Sequence, residues 1–143
     1  MKIKQLSVFL ENRFGQLAEI THTLAQNHID LRAISIAETA DYGVLRLIAD
    51  DAERAATVLL EGGHILTMTQ VTVVGVPDEP AGLAKLLSLL AEAQIDIEYM
   101  YSLFAHPNGK AYMVFRVSND EAFGTFLAAN GIEQATRDEL GLK

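Results

Sequence analysis

With 143 residues, half of them hydrophobic, the chain has room for one ordinary domain or two very small ones and none for a long multidomain enzyme. It contains no cysteine, which excludes disulfide frameworks, thiolate zinc sites, iron–sulfur clusters and a cysteine nucleophile, and makes a reducing cytoplasm the expected location. Nineteen acidic against eleven basic residues give a formal charge of −8, which repels phosphate polymers and anionic lipid, so no nucleic acid and no membrane is expected among the partners.

In chain order, Leu6 to Leu10 reads as a first strand, too short for a signal-peptide core and followed at once by Glu11-Asn12-Arg13. Leu17, Ile20 and Leu24 then recur at helical spacing. Leu31 to Glu38 and Gly43 to Ala49 form a hairpin around Asp41-Tyr42-Gly43. Asp51 stands as N-cap of a second helix carrying Ala55, Val58 and Leu59, which stops near Gly62-Gly63, and Ile65 to Met68 is a short last strand. The pattern then starts again. Val71 to Val76 is a strand, Leu83, Leu86, Leu87 and Leu90 mark a helix, and Ile97 to Phe104 pairs with Tyr112 to Ser118 around Pro107-Asn108-Gly109. Asp120 caps a helix with Phe123, Phe126 and Leu127 that ends near Asn130-Gly131, and Ile132 to Gln134 is a faint final strand.

Shifting the chain by 66 positions lays Asn12–Leu31 on Asp78–Ile97 with six of twenty pairs identical. Roughly one or two are expected by chance, so duplication is the better explanation. Beyond that segment the expected shift is about 70, which makes Arg46 and Arg116 equivalent. Each half is a β-α-β-β-α-β unit, and the chain is α+β: two ferredoxin-like βαββαβ units, at 1–69 and 70–143, with antiparallel sheets and helices on one face. Units of about 70 residues lie near the limit of independent stability, and their uncovered sheet faces and exposed edges favour association, so a homodimer is expected.

The amino end of the first helix of each half offers unpaired N–H groups and partial positive charge, a place for a carboxylate. Small residues at Gly15, Ala81 and Gly82 let a ligand approach the backbone. Asn12 has an amide to donate, and Asp30 and Asp96 are the acids available to a ligand ammonium group. The competing assignment is plain capping by Asn12 and Asp78 and turn stabilisation by Asp30 and Asp96, for which these residue types are common.

Glu11-Asn12-Arg13-Phe14-Gly15-Gln16-Leu17 and Pro77-Asp78-Glu79-Pro80-Ala81-Gly82-Leu83 resemble the strand-to-helix turn of ACT domains, and the resemblance extends through Asn27-His28-Ile29-Asp30-Leu31 and Ala93-Gln94-Ile95-Asp96-Ile97. It implies a tandem ACT protein without a catalytic domain, binding a free amino acid where two domains meet and regulating by that binding. A ligand-contacting role is implied for Asn12 and its match Asp78, for Asp30 and its match Asp96, and for the turns around them: Arg13, Phe14, Gly15, Gln16 and Leu17 in one half, Glu79, Ala81, Gly82 and Leu83 in the other. Each turn is completed by the acid of the neighbouring domain. Phe14 in place of proline and Ala81 in place of glycine depart from the family pattern.

Four scattered histidines show no metal-ligand spacing and read as surface residues, and no nucleophile elbow, Walker loop or dinucleotide fingerprint occurs. The expectation is therefore a non-enzymatic sensor with no cofactor, no metal and no catalytic residues, whose partners are a free amino acid, a second copy and a regulated enzyme. Alternatives are a regulatory subunit of the acetolactate synthase small-subunit type and a small ferredoxin-like enzyme.

Overall fold

The computed structural model describes residues 2–11, 13–38, 41–105 and 107–143. The chain falls into two compact units. The first comprises Lys4–Gln70 with Gly141–Lys143, and the second comprises Val71–Leu140 with the start of the chain as far as Ile3.

In the first unit, β1 (Ile3–Glu11) pairs antiparallel with β3 (Tyr42–Ala49), which pairs with β2 (Leu31–Glu38). The chain entering β4 (Leu66–Pro77) runs beside β1, whose Phe9 N–H donates to the Ile65 carbonyl. Alternation places Leu6, Val8 and Leu10 of β1 and Leu45 and Leu47 of β3 on one face. Against it lie Ile20 and Leu24 of α1 (Gln16–Gln26) and Ala55 and Leu59 of α2 (Ala52–Glu61). Each fully buried Leu or Ile contributes about 2 kcal/mol relative to exposure, and this is what holds short helices in place. Asp51 caps α2 as expected, its carboxylate accepting from the Arg54 N–H at 3.1 Å.

The second unit repeats the plan. The later part of β4 pairs with β6 (Lys110–Val117), and β6 with β5 (Ile97–Ser102). The faint last strand is a single bridge, Val74 to Gln134, extended by the Ala135 N–H on the Val73 carbonyl. Its core joins Val74, Val76, Phe115 and Val117 to Leu86 and Leu90 of α3 (Gly82–Glu92) and to Phe123 and Leu127 of α4 (Asp120–Ala129). β4 runs for 12 residues and includes Met68-Thr69-Gln70.

Three expectations need correction. Leu6 faces Leu47, and Thr72 faces Phe115, so the third strands answer to each other at a shift of 68 rather than 70. Arg46 therefore corresponds to Val114, and Arg116 to Ile48. The same shift moves the cap of α4 from Asp120 to Asn119, whose side chain accepts from the Ala122 N–H at 3.0 Å. The sheet side turned away from α3 and α4 is not bare: Tyr112 and Val114 are buried there, and the Tyr112 hydroxyl donates to Glu139 of the short α5 (Arg137–Leu140) at 3.2 Å.

Candidate functional site

The first turn is built around its two ends. The Arg13 N–H bonds back to the Glu11 carbonyl at 2.9 Å, and Gly15 takes φ +82°, a left-handed conformation that costs glycine nothing. Gly15 then accepts the first helical bond from the Glu19 N–H. Gln16 is buried and its Oε1 accepts from the Glu11 N–H at 2.7 Å, closing the strand end onto the first turn of α1. Among the described residues no side chain caps the helix, and the N–H groups of its first turn have no helical partner. Phe14 is fully exposed, Leu17 half-buried, and Arg13 lies between Glu19 at 3.3 Å and Glu11 at 3.6 Å. Asn12 lies outside the described residues.

In the second turn the Glu79 N–H bonds to the Pro77 carbonyl at 2.9 Å, and the Lys85 N–H to the Ala81 carbonyl at 3.1 Å. The backbone scheme is the same, but the means differ. Ala81 has φ −94°, and Gly82 replaces the buried glutamine; a β-carbon at Gly82 would collide with the Pro77 carbonyl. Asp78 does not cap α3, which has no side-chain cap. Asp78, Glu79 and Ala81 are exposed, and Leu83 packs at the edge of the core.

At the far ends of these helices the chain turns through His28 and Gln94, both at left-handed φ (56° and 57°). Ile29 and Ile95 then bond back to the carbonyls of Leu24 and Leu90, each at 3.0 Å, closing a helix end in which glycine is usual. Asp30 follows. Its N–H donates to the Asp50 carboxylate at 3.0 Å, its carbonyl accepts from the Asp50 N–H, and its own carboxylate holds Arg32 at 2.9 Å. Asp96 is placed alike, its carbonyl and carboxylate accepting from the N–H and hydroxyl of Ser118. Both acids thus tie the start of an edge strand to the end of its neighbour and keep an exposed carboxylate.

The structure brings Arg13, Gly15 and Gln16 together with Glu11 and Glu19, and sets Asp30 and Asp96 among their own strand ends. It does not bring turn and acid of one unit together: the eleven residues of α1, about 16 Å in length, separate the turn from the helix end that precedes Asp30. Asp50 and Ser118, which hold the acids, are not among the site residues expected from the sequence; their one signal is that they occupy matching places in the repeat. His64, read as a surface residue, is buried, with Nε2 3.7 Å from Glu19. Among the described residues no cluster of three or more histidine, aspartate or glutamate side chains is placed to hold a metal ion, and no helix is long and apolar enough to cross a membrane.

A family model described as "ACT domain pair" matches residues 1–140. None of the curated proteins compared with the chain matches it. Among solved structures it is similar to protein BT0572 from Bacteroides thetaiotaomicron, with 39% identity over 99% of this chain and 96% of that one and a TM-score of 0.89. The regulatory subunit of aspartate kinase from Thermus thermophilus, in ligand-free form, aligns over 90% of both chains at 16% identity and a TM-score of 0.61. The corresponding subunit from Thermus flavus aligns over 90% of both chains at 17% identity and a TM-score of 0.54.

Proposed function

The chain belongs to the ACT domain-pair family, and from that premise we propose that it is a non-catalytic regulatory protein that binds a free amino acid between ACT-type units. The observation that carries the reading is the repeated layout: a helix start that no described side chain caps at one end of α1 and α3, and an exposed aspartate after the other end. The helix start suits a carboxylate, the aspartate suits an ammonium group, and neither unit can offer both to one small molecule. A zwitterion is therefore held by the turn of one unit and the acid of another, supplied by this chain or by a second copy. Asn12 with Asp96 makes one such site, and Asp78 with Asp30 the other. The second sets two carboxylates around a ligand that brings its own, so the Asn12 site is the tighter.

Regulation follows from linkage. A ligand that touches two units favours whichever arrangement brings them together, and a partner that prefers this arrangement is recruited or released. The partner is a homodimer mate or a regulated enzyme, and the fold shared with aspartate kinase regulatory subunits supports the latter. A thermal-shift panel of the twenty amino acids tests the reading. One or a few related amino acids are expected to raise Tm selectively, a stabilisation of about 2.7 kcal/mol at a hundredfold excess over Kd. A flat response across the panel contradicts it.

A further inference from the structure

The second unit carries a cavity lined by Gly75, Lys110, Tyr112 and Glu139. It has a volume of about 400 Å³ and lies between the sheet side turned away from α3 and α4 and the segment that follows α4. That volume is in the range of small-molecule sites. Its floor is Gly75 and Tyr112, which face each other across the β4–β6 pair. A β-carbon at Gly75 would come within 2.9 Å of the Tyr112 ring and 3.1 Å of Lys110 Cδ, so both side chains lean over a position that must remain empty. The register makes Phe9 the first-unit counterpart of Gly75 and Tyr42 that of Lys110. There the two aromatic rings stack at 5.3 Å and occupy this place.

The walls are charged in a definite way. Lys110 has no hydrogen-bond or ion-pair partner among the described residues. Glu139 is fixed: Oε1 accepts from the Thr136 N–H at 2.8 Å and Oε2 from the Tyr112 hydroxyl at 3.2 Å. Glu133 adds a second carboxylate to the lining. A free cation and an immobilised carboxylate on one small cavity, over an aromatic floor, match a ligand carrying both charges. We propose that this cavity is a binding site for an α-amino acid or similarly small zwitterion, its carboxylate on Lys110 and its ammonium on Glu139. The site lies wholly within one unit and goes beyond the composite site between units.

The test is amide-resolved NMR of the full chain titrated with each of the twenty amino acids. At least one is expected to give saturable shifts at Gly75 and Gly131. Lys110→Met, which keeps the stem and removes the charge, should weaken that response at least tenfold, and Lys110→Arg should retain it. The proposal is overturned if no amino acid moves Gly75 and Gly131, or if Lys110→Met leaves their response unchanged. Shifts at Gly15 and Gly82 report the composite site instead, so the two readings fail separately.

Discussion

The two strand-to-helix turns reach the same backbone scheme by opposite routes. In the first, the Glu11 N–H needs an acceptor at the strand end, and the buried Gln16 side chain provides it. In the second, the matching residue is Pro77, which has no N–H, and the position matching Gln16 is Gly82, packed where no side chain fits. A donor with its acceptor in one repeat and neither in the other means that the two positions form one unit of design. The difference also bears on the proposed ligand site, because the helix start is shaped by a carboxamide in one unit and by bare backbone in the other.

The largest effect is expected from Gly82→Ala. Its β-carbon must displace the Pro77 carbonyl, and urea unfolding should show a loss of about 3 kcal/mol. A loss below about 0.5 kcal/mol would mean that the close approach is not needed. Gln16→Leu should cost about 1.5 kcal/mol by taking the acceptor away from the part-buried Glu11 N–H. Adding Glu11→Pro to Gln16→Gly transplants the second turn into the first. A double-mutant cycle should then show positive coupling, whereas simple additivity would dissolve the pairing of the two positions. The smallest effect concerns the second helices. Asn119→Ala should lose about 1 kcal/mol of capping, and Asp120→Ala, which removes only half-exposed ion pairs to Lys2 and Arg116, less than that. Equal losses would return the cap to Asp120.

The order of strands and helices is legible because Leu17, Ile20 and Leu24 cannot read as a strand, nor Val71 to Val76 as one turn of an amphipathic helix. The register of the third strands is not. A slip of one residue would turn Leu45 and Leu47 to the wrong face, but a slip of two leaves every side chain on its own face, so the two arginines aligned at 70 satisfy the same pattern as the observed 68. Asn119 and Asp120 are both good caps, and only the register chooses between them. At the candidate site, the turns and helix-end acids could be found from the repeat. The hold of Asp50 on Asp30 could not, because it joins residues 20 apart through a sheet whose pairing is set by packing.

The central claim, that a zwitterion is clamped by the turn of one unit and the acid of another, is tested most directly by isothermal titration of the amino acid that stabilises the protein into wild type, Asn12→Ala and Asp78→Ala. The account predicts at least a tenfold loss of affinity for Asn12→Ala, about 1.4 kcal/mol, and a much smaller change for Asp78→Ala. Unchanged affinity in Asn12→Ala would contradict it.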